Sequence, residues 1–306
     1  MSFTLERREQ ATHEEAIWAA DWYVPEGGDP TTSGKIVTGA LDDTVKVWNY
    51  NGAELTVERT LLGHSLGVLS VRVDPSGKLF ASSSLDSNIS VWDLETGDKK
   101  KSIDSGPLES WTVEFTRDSK YILTGSADGK VEMFDVETGK KEKSLETKGK
   151  MALSLATSPD GKWIACGGSN GLVALLDGET GNYFKTLEGH AMPVRALAFS
   201  PDSKLLFTAS DDKHVKIYAL TEFQVVGTMS GHSSWVLGVS VSQDGTNFAT
   251  CSSDKSVRIW DLNTKSCSHV FNDAHTDQVW SVVWGSNTKL ASVGEDKCIN
   301  IYNMVK

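Results

Sequence analysis

The chain has 306 residues, and its 30 Lys and Arg against 41 Asp and Glu give a net charge of −11. Binding to nucleic-acid phosphates needs a basic stripe, and none is visible in this acidic chain, so direct nucleic-acid contact is not expected. No uncharged apolar run nears the ~18 residues of a membrane helix, and the opening MSFTLERREQ lacks the apolar core of a secretory signal, so an intracellular protein without membrane contact is expected.

In chain order, the first extended segment, Phe3 to Arg8, belongs to no repeat. Beyond it a repeat takes over. Trp48, Trp92, Phe134, Leu176, Tyr218, Trp260 and Tyr302 are separated by 42 residues in five intervals and by 44 in the first. Four strands of about 6 residues with four turns of about 4 fill roughly 40 residues, so each period predicts one antiparallel sheet. Without a break in composition, the seven periods predict a single all-β domain over residues 1–306, a seven-bladed propeller.

The first unit is longer than the rest, and the excess falls in YVPEGGDPTTSGK, whose Gly, Pro and Thr predict a surface loop over 23–34. The sixth unit shows the pattern most clearly. Alternation over Val236 to Val241, a turn at Gln243-Asp244-Gly245, a strand over Phe248 to Ser252, a turn at Asp254-Lys255 and a strand over Val257 to Trp260 give three strands, with a fourth following. After Tyr302 only Asn303 to Lys306 remain, too few for a fourth strand in the seventh unit. Residues 1–8 are therefore expected to form its outer strand, which removes two open edges at once.

Gly63-His64, Gly189-His190 and Gly231-His232, each 28 residues from its His to a Trp or Tyr, together with Trp92-Asp93 and Trp260-Asp261, resemble the WD40 repeat family along the whole chain. The resemblance implies a buried network in each blade, joining the His, a Ser or Thr on the second strand, an Asp in the next turn and the aromatic residue ending the third strand. The matching sets are His13, Thr38, Asp42 and Trp48; His64, Ser82, Asp86 and Trp92; His190, Thr208, Asp212 and Tyr218; His232, Thr250, Asp254 and Trp260; and His275, Ser292, Asp296 and Tyr302. Blade three keeps Thr124 and Asp128 but has Gly106 and Phe134, and blade four has Lys148, Cys166, Asn170 and Leu176, so both are expected to be held by packing alone.

The same register implies a binding face at the channel mouth. Its fifth position after the His reads Trp18, Leu69, Trp111, Leu153, Arg195, Leu237 and Trp280; its third adds Met151 and Trp235; the residue before the turn Asp adds Leu41, Leu85, Asp211 and Glu295. Four Trp, several Leu and an Arg are the composition of a hot spot, so the face is expected to take a peptide or helix, with Arg195, Asp211 and Glu295 fixing its direction.

A His, a Ser or Thr and an Asp together invite a hydrolase reading, but five copies around one ring match a sheet-stabilising device and not one active site. No nucleophile elbow, phosphate loop or metal-ligand cluster is present, and Cys166, Cys251, Cys267 and Cys298 form no CxxC pair, so no catalysis, cofactor, metal or disulfide is expected. Within the family, SIDSGPLESWTVEF, LEGHAMPVRALAFSPDS and SSDKSVRIWD resemble the WD-repeat subunits of eukaryotic superkiller complexes. That resemblance implies a scaffold, monomeric alone, that joins a tetratricopeptide-repeat protein and an RNA helicase in exosome-linked messenger RNA decay in the cytoplasm. It also implies a nuclear role beside subunits of the RNA polymerase II-associated factor complex. The competing reading is a reader of histone tails or an adaptor of another complex.

Overall fold

In this computed structural model the described residues are 2–25, 34–52, 54–106 and 111–305. The chain opens with β1 (Ser2–Glu9). Blade one holds β2 (Ile17–Tyr23), β3 (Gly34–Ala40), β4 (Val45–Tyr50) and β5 (Leu55–Leu61), and blade two β6 (Val68–Val73), β7 (Leu79–Ser84), β8 (Asn88–Asp93) and β9 (Lys99–Asp104). Blade three follows with β10 (Val113–Phe115), β11 (Tyr121–Gly125), β12 (Val131–Asp135) and β13 (Lys141–Leu145). Blade four has β14 (Ala152–Thr157), β15 (Trp163–Gly168), β16 (Val173–Asp177) and β17 (Tyr183–Leu187). Blade five has β18 (Val194–Phe199), β19 (Leu205–Ser210), β20 (His214–Ala219) and β21 (Gln224–Ser230). Blade six has β22 (Val236–Val241), β23 (Asn247–Ser252), β24 (Val257–Asp261) and β25 (Ser266–Phe271), and β26 (Val279–Trp284), β27 (Lys289–Gly294) and β28 (Ile299–Val305) end the chain.

These strands pair into seven antiparallel sheets of four, ordered along the chain in blades one to six. Blade seven is ordered β1-β28-β27-β26, and Ser2 pairs with Val305 and Glu9 with Ile299, so the predicted shared blade is present. Most of the 23–34 loop, residues 26–33, lies outside the described residues.

The middle strands of each blade are covered on both faces by neighbouring blades, which is why β23 (NFATCS) is buried throughout instead of alternating. The core is correspondingly divided among the seams. Ile17, Ile36 and Trp48 of blade one pack on Val293 and Ile301 of blade seven, Val45 and Val47 on Val71 and Phe80, and Phe207 and Ile217 on Phe248 and Trp260. Each fully buried side chain of this size is worth about 1.5–3 kcal/mol, so seam packing is the dominant stabilising force.

Two irregularities repeat with the blades. In six blades the innermost strand carries a β-bulge, and the skipped residue is Trp18, Leu69, Leu153, Arg195, Leu237 or Trp280. Every outer strand is bulged as well, at Glu58, Lys100, Glu142, Phe184, Val226, Ser268 and, in β1, Glu6. A bulge frees one side chain from the ladder and re-aims it. The freed Glu6 pairs with Lys289, whose side chain is buried and also lies 5.7 Å from the Tyr50 ring, so this ion pair crosses the closure between β1, blade seven and blade one. Glu6→Ala strands a buried ammonium and should cost about 1–3 kcal/mol, measured by urea unfolding, with Lys289→Met restoring most of it.

Candidate functional site

The residues that anchor each blade are set by its two connecting turns. The residue after the turn Asp, or after Asn170 in blade four, has left-handed φ in every blade, from Asp43 (φ 66) to Lys297 (φ 62), and is glycine only in blades three and four, at Gly129 and Gly171. In blade six the carboxylate of Asp254 accepts from the Ser233 and Ser256 amides at 2.9 and 3.0 Å and so holds a non-glycine Lys255 in that conformation.

The expected networks form in full in blades one, two, six and seven. His232 joins Asp254 (2.9 Å) and Thr250 (2.8 Å), and Trp260 Nε1 donates to the same hydroxyl at 2.9 Å. His13, Asp42, Thr38 and Trp48 repeat this at 2.9, 2.7 and 2.9 Å, and His64, Asp86, Ser82 and Trp92 at 3.1, 2.8 and 2.9 Å. In blade seven His275 meets Asp296 (2.8 Å) and Ser292 (2.7 Å), and Tyr302 takes the place of Trp, 2.8 Å from Ser292.

Blade five departs from expectation. His190 reaches Asp212 and Thr208, each at 2.7 Å, but the Tyr218 hydroxyl donates to the Glu188 carbonyl at 3.1 Å, while Thr208 donates to the Lys216 carbonyl. The Tyr218 hydroxyl thus finds the backbone of the preceding loop, whereas the Tyr302 hydroxyl at the same position of blade seven stays on Ser292. Two members were missed: Thr44 (2.7 Å from Asp42) and Ser256 (2.6 Å from Asp254) each cap the turn carboxylate and sit 3.2 Å from the His Nδ1. A hydroxyl residue two positions after the Asp is the sequence signal for them.

Packing alone does not hold blade three. Asp128 bonds Ser126 and lies 3.4 Å from Lys130, and a buried Glu132 accepts from Ser144 (2.6 Å) and Lys141 (2.7 Å). In blade four Leu176 and Cys166 are buried, Lys148 lies 4.1 Å over the Tyr183 ring, and Asn170 accepts from the Leu172 amide at 3.4 Å.

Burial would raise the turn carboxylates, but hydrogen bonds and charge from the paired imidazole and neighbouring amides prevail. Asp42 and Asp254 are held far below the usual range and Asp296 at about 2. Burial pulls His64, His190 and His232 down despite their Asp partners, so they are neutral near pH 7. A neutral His between Asp and Ser looks like a triad, yet Ser82 is fully buried and flanked by His64 and Trp92, so no carbonyl can approach it. Cys166 is pushed up to about 12 by burial and is not a nucleophile. All four Cys are free thiols. Among the described residues no His, Cys, Asp and Glu group is placed to hold a metal ion, and no helix is long and apolar enough to cross a membrane.

The seven fifth-position residues come together. Trp18, Leu69, Trp111, Leu153, Arg195, Leu237 and Trp280 all line one central cavity of about 360 Å³ whose walls are the innermost strands. Trp18 and Trp280, neighbours across the closure, pack with ring planes tilted by 30° and centroids 4.7 Å apart, and Trp280 Nε1 donates to Glu295 at 2.7 Å. Arg195 is engaged within blade five. It forms a two-pronged pair with Asp211 of its own blade at 2.8 and 3.0 Å, and its guanidinium lies 5.8 Å from the Trp235 ring. Trp235 is 44% exposed and Leu85 48%, whereas Met151 and Leu41 are half-buried and Leu237 and Asp211 are buried.

Proteins of known sequence extend the picture. The family model described as WD domain, G-beta repeat matches residues 55–93, 103–135, 139–177, 181–219, 223–261 and 265–303. The chain is similar to WD repeat-containing protein SL1-17 of Schistosoma mansoni, 42% identical over 118 residues, 38% of each chain. It is similar also to WD repeat-containing protein VIP3 of Arabidopsis thaliana, 42% identical over 103 residues, 34% of this chain and 30% of that one. Superkiller complex protein 8 of Dictyostelium discoideum is 32% identical over 123 residues, 40% of this chain and 38% of that one. The matched stretch thus spans about a third of the length of these relatives. With six repeats matched by the family model and seven four-stranded blades in a ring, the chain belongs to the WD40 family.

Proposed function

We propose that the protein is a non-catalytic scaffold that binds a peptide or helix of a partner on the face around the channel mouth. Membership of a family that generally serves protein interaction supports this. The single observation that carries it is the convergence of three Trp, three Leu and Arg195, six of the seven on bulges, around one cavity beside the exposed Trp235. Bulges free these side chains from the sheet, and aromatic groups with Arg are typical anchors of binding.

The likeness to a superkiller complex protein supports a place in a superkiller-type complex. We further propose a tetratricopeptide-repeat protein and an RNA helicase as partners there, and work in cytoplasm and nucleus, in the nucleus beside polymerase-associated factor subunits. Co-purification of those partners with wild type, Trp111→Ala and Trp235→Ala tests both claims. The expected result is capture by wild type and at least tenfold weaker capture by both variants with unchanged melting. Equal capture would move the site off this face; capture only of histone-tail peptides would favour the reader.

A further inference from the structure

The seven bulged residues of the outer strands occupy one structural position, on the rim of the ring. Three are ion-paired there: Glu58 lies 3.3 Å from Lys35, Lys100 3.3 Å from Asp93, and Glu6 pairs with Lys289. Ser268 satisfies itself on the Ile259 carbonyl at 3.0 Å, and Glu142 is exposed to water. Blades four and five alone break the pattern with Phe184, 50% exposed, and Val226, 40% exposed. The two blades are adjacent, so the two apolar residues fall on one side of the ring.

An aromatic cluster joins them. The Phe184 ring lies 4.9 Å from Trp163 and 5.2 Å from Phe223, and Trp163 and Phe223 meet edge to face at 5.7 Å. Trp163 and Phe223 flank the blade four–five core, whereas Phe184 stands half in water. Phe184 thus keeps half of its surface in water at a rim position that is polar in every blade but four and five, even after its contacts with Trp163 and Phe223.

Charge around the cluster indicates what covers it. Lys185 lies 5.2 Å over the Phe223 ring and Lys265 donates to the Val226 carbonyl at 2.8 Å. Among the described residues neither has a carboxylate within ion-pair distance, whereas the charged bulge residues Glu58, Lys100 and Glu6 are each paired. In a chain of net charge −11 these are local, uncompensated positive charges on an apolar platform. We propose that the rim of blades four and five is a second docking surface, for an acidic partner segment that places one apolar or aromatic side chain on Phe184 and carboxylates at Lys185 and Lys265.

Selection of a displayed library of random 12-residue peptides against the wild-type protein, followed by fluorescence titration of the enriched peptides, tests this. Peptides combining an aromatic or large aliphatic residue with Asp or Glu should be enriched. Their affinity should fall at least tenfold in both Phe184→Ala and Lys185→Glu and be unchanged in Trp235→Ala, which separates this surface from the channel mouth. Both substitutions are at exposed positions, so melting curves should match wild type. Enrichment of only basic or neutral peptides, or acidic peptides whose affinity ignores both substitutions, would overturn the proposal. So would a dimer in sedimentation that Phe184→Glu dissolves, since a second copy would then be the occupant.

Discussion

Asp254→Ala should lower unfolding free energy by about 3 kcal/mol, while Asp128→Ala in blade three should cost less than about 1 kcal/mol. Asp254 accepts from His232, the Ser233 and Ser256 amides and the Ser256 hydroxyl, so its removal orphans several donors at once, one on a buried imidazole. Each buried donor left unmade costs about 1–3 kcal/mol, partly recovered where water enters. Asp128 is half in water and no His depends on it. Urea unfolding of the two variants beside wild type gives the comparison, and equal losses would remove the network from its structural role.

The sign of the acid response follows from the same groups. A carboxyl lowered on folding stabilises above its unfolded pKa of about 4 and loses that contribution as pH falls through its folded value. For Asp296, at about 2, this amounts to about 2 kcal/mol, gone only near pH 2. The lowered His64, His190 and His232 act earlier: their contribution is complete above about pH 6.5 and declines as pH falls toward their folded values. Wild type should therefore lose stability in two stages, below about pH 6.5 and again below about pH 4. His232→Gln should flatten the first stage partially.

Deleting residues 2–9 should produce the largest loss of all, roughly 10 °C in melting temperature. The deletion takes away Phe3, which is 4% exposed and packs edge-on to Trp284 at 6.0 Å, along with the Arg8 to Asp296 contact at 3.2 Å and the whole β1 to β28 ladder. Phe3→Ala alone should cost about 3 kcal/mol. A deletion variant that melts with wild type would show that the ring does not depend on this strand. Scanning calorimetry of the three proteins decides it.

The sequence was most informative where one residue type carries one geometric demand. The His, the Ser or Thr and the turn Asp were legible because their offsets are fixed by the strands between them, and the outer strand of blade seven was legible because Phe3 to Arg8 is an extended segment that belongs to no repeat. The endpoint of the Tyr218 hydroxyl was not, because it depends on how a loop from the preceding blade lies against it. The pairing of Arg195 with Asp211 was missed for a similar reason: the repeat register places both at the mouth but not in reach of each other. Nor does a period of 42 reveal bulges, since a skipped residue is defined by its partner strand.

The β1 to β28 pairing has a consequence in time. Its partners lie about 300 residues apart, so at synthesis rates of about 5–20 residues per second the first strand leaves the ribosome about 15–60 s before its neighbour exists. Throughout that wait it is an unpaired edge open to any other nascent strand. Glu6, Arg7, Arg8 and Glu9 place four consecutive charges on it, the kind of edge that resists pairing with strangers. The segment that completes the ring is thus also built to stay single until the ring is ready.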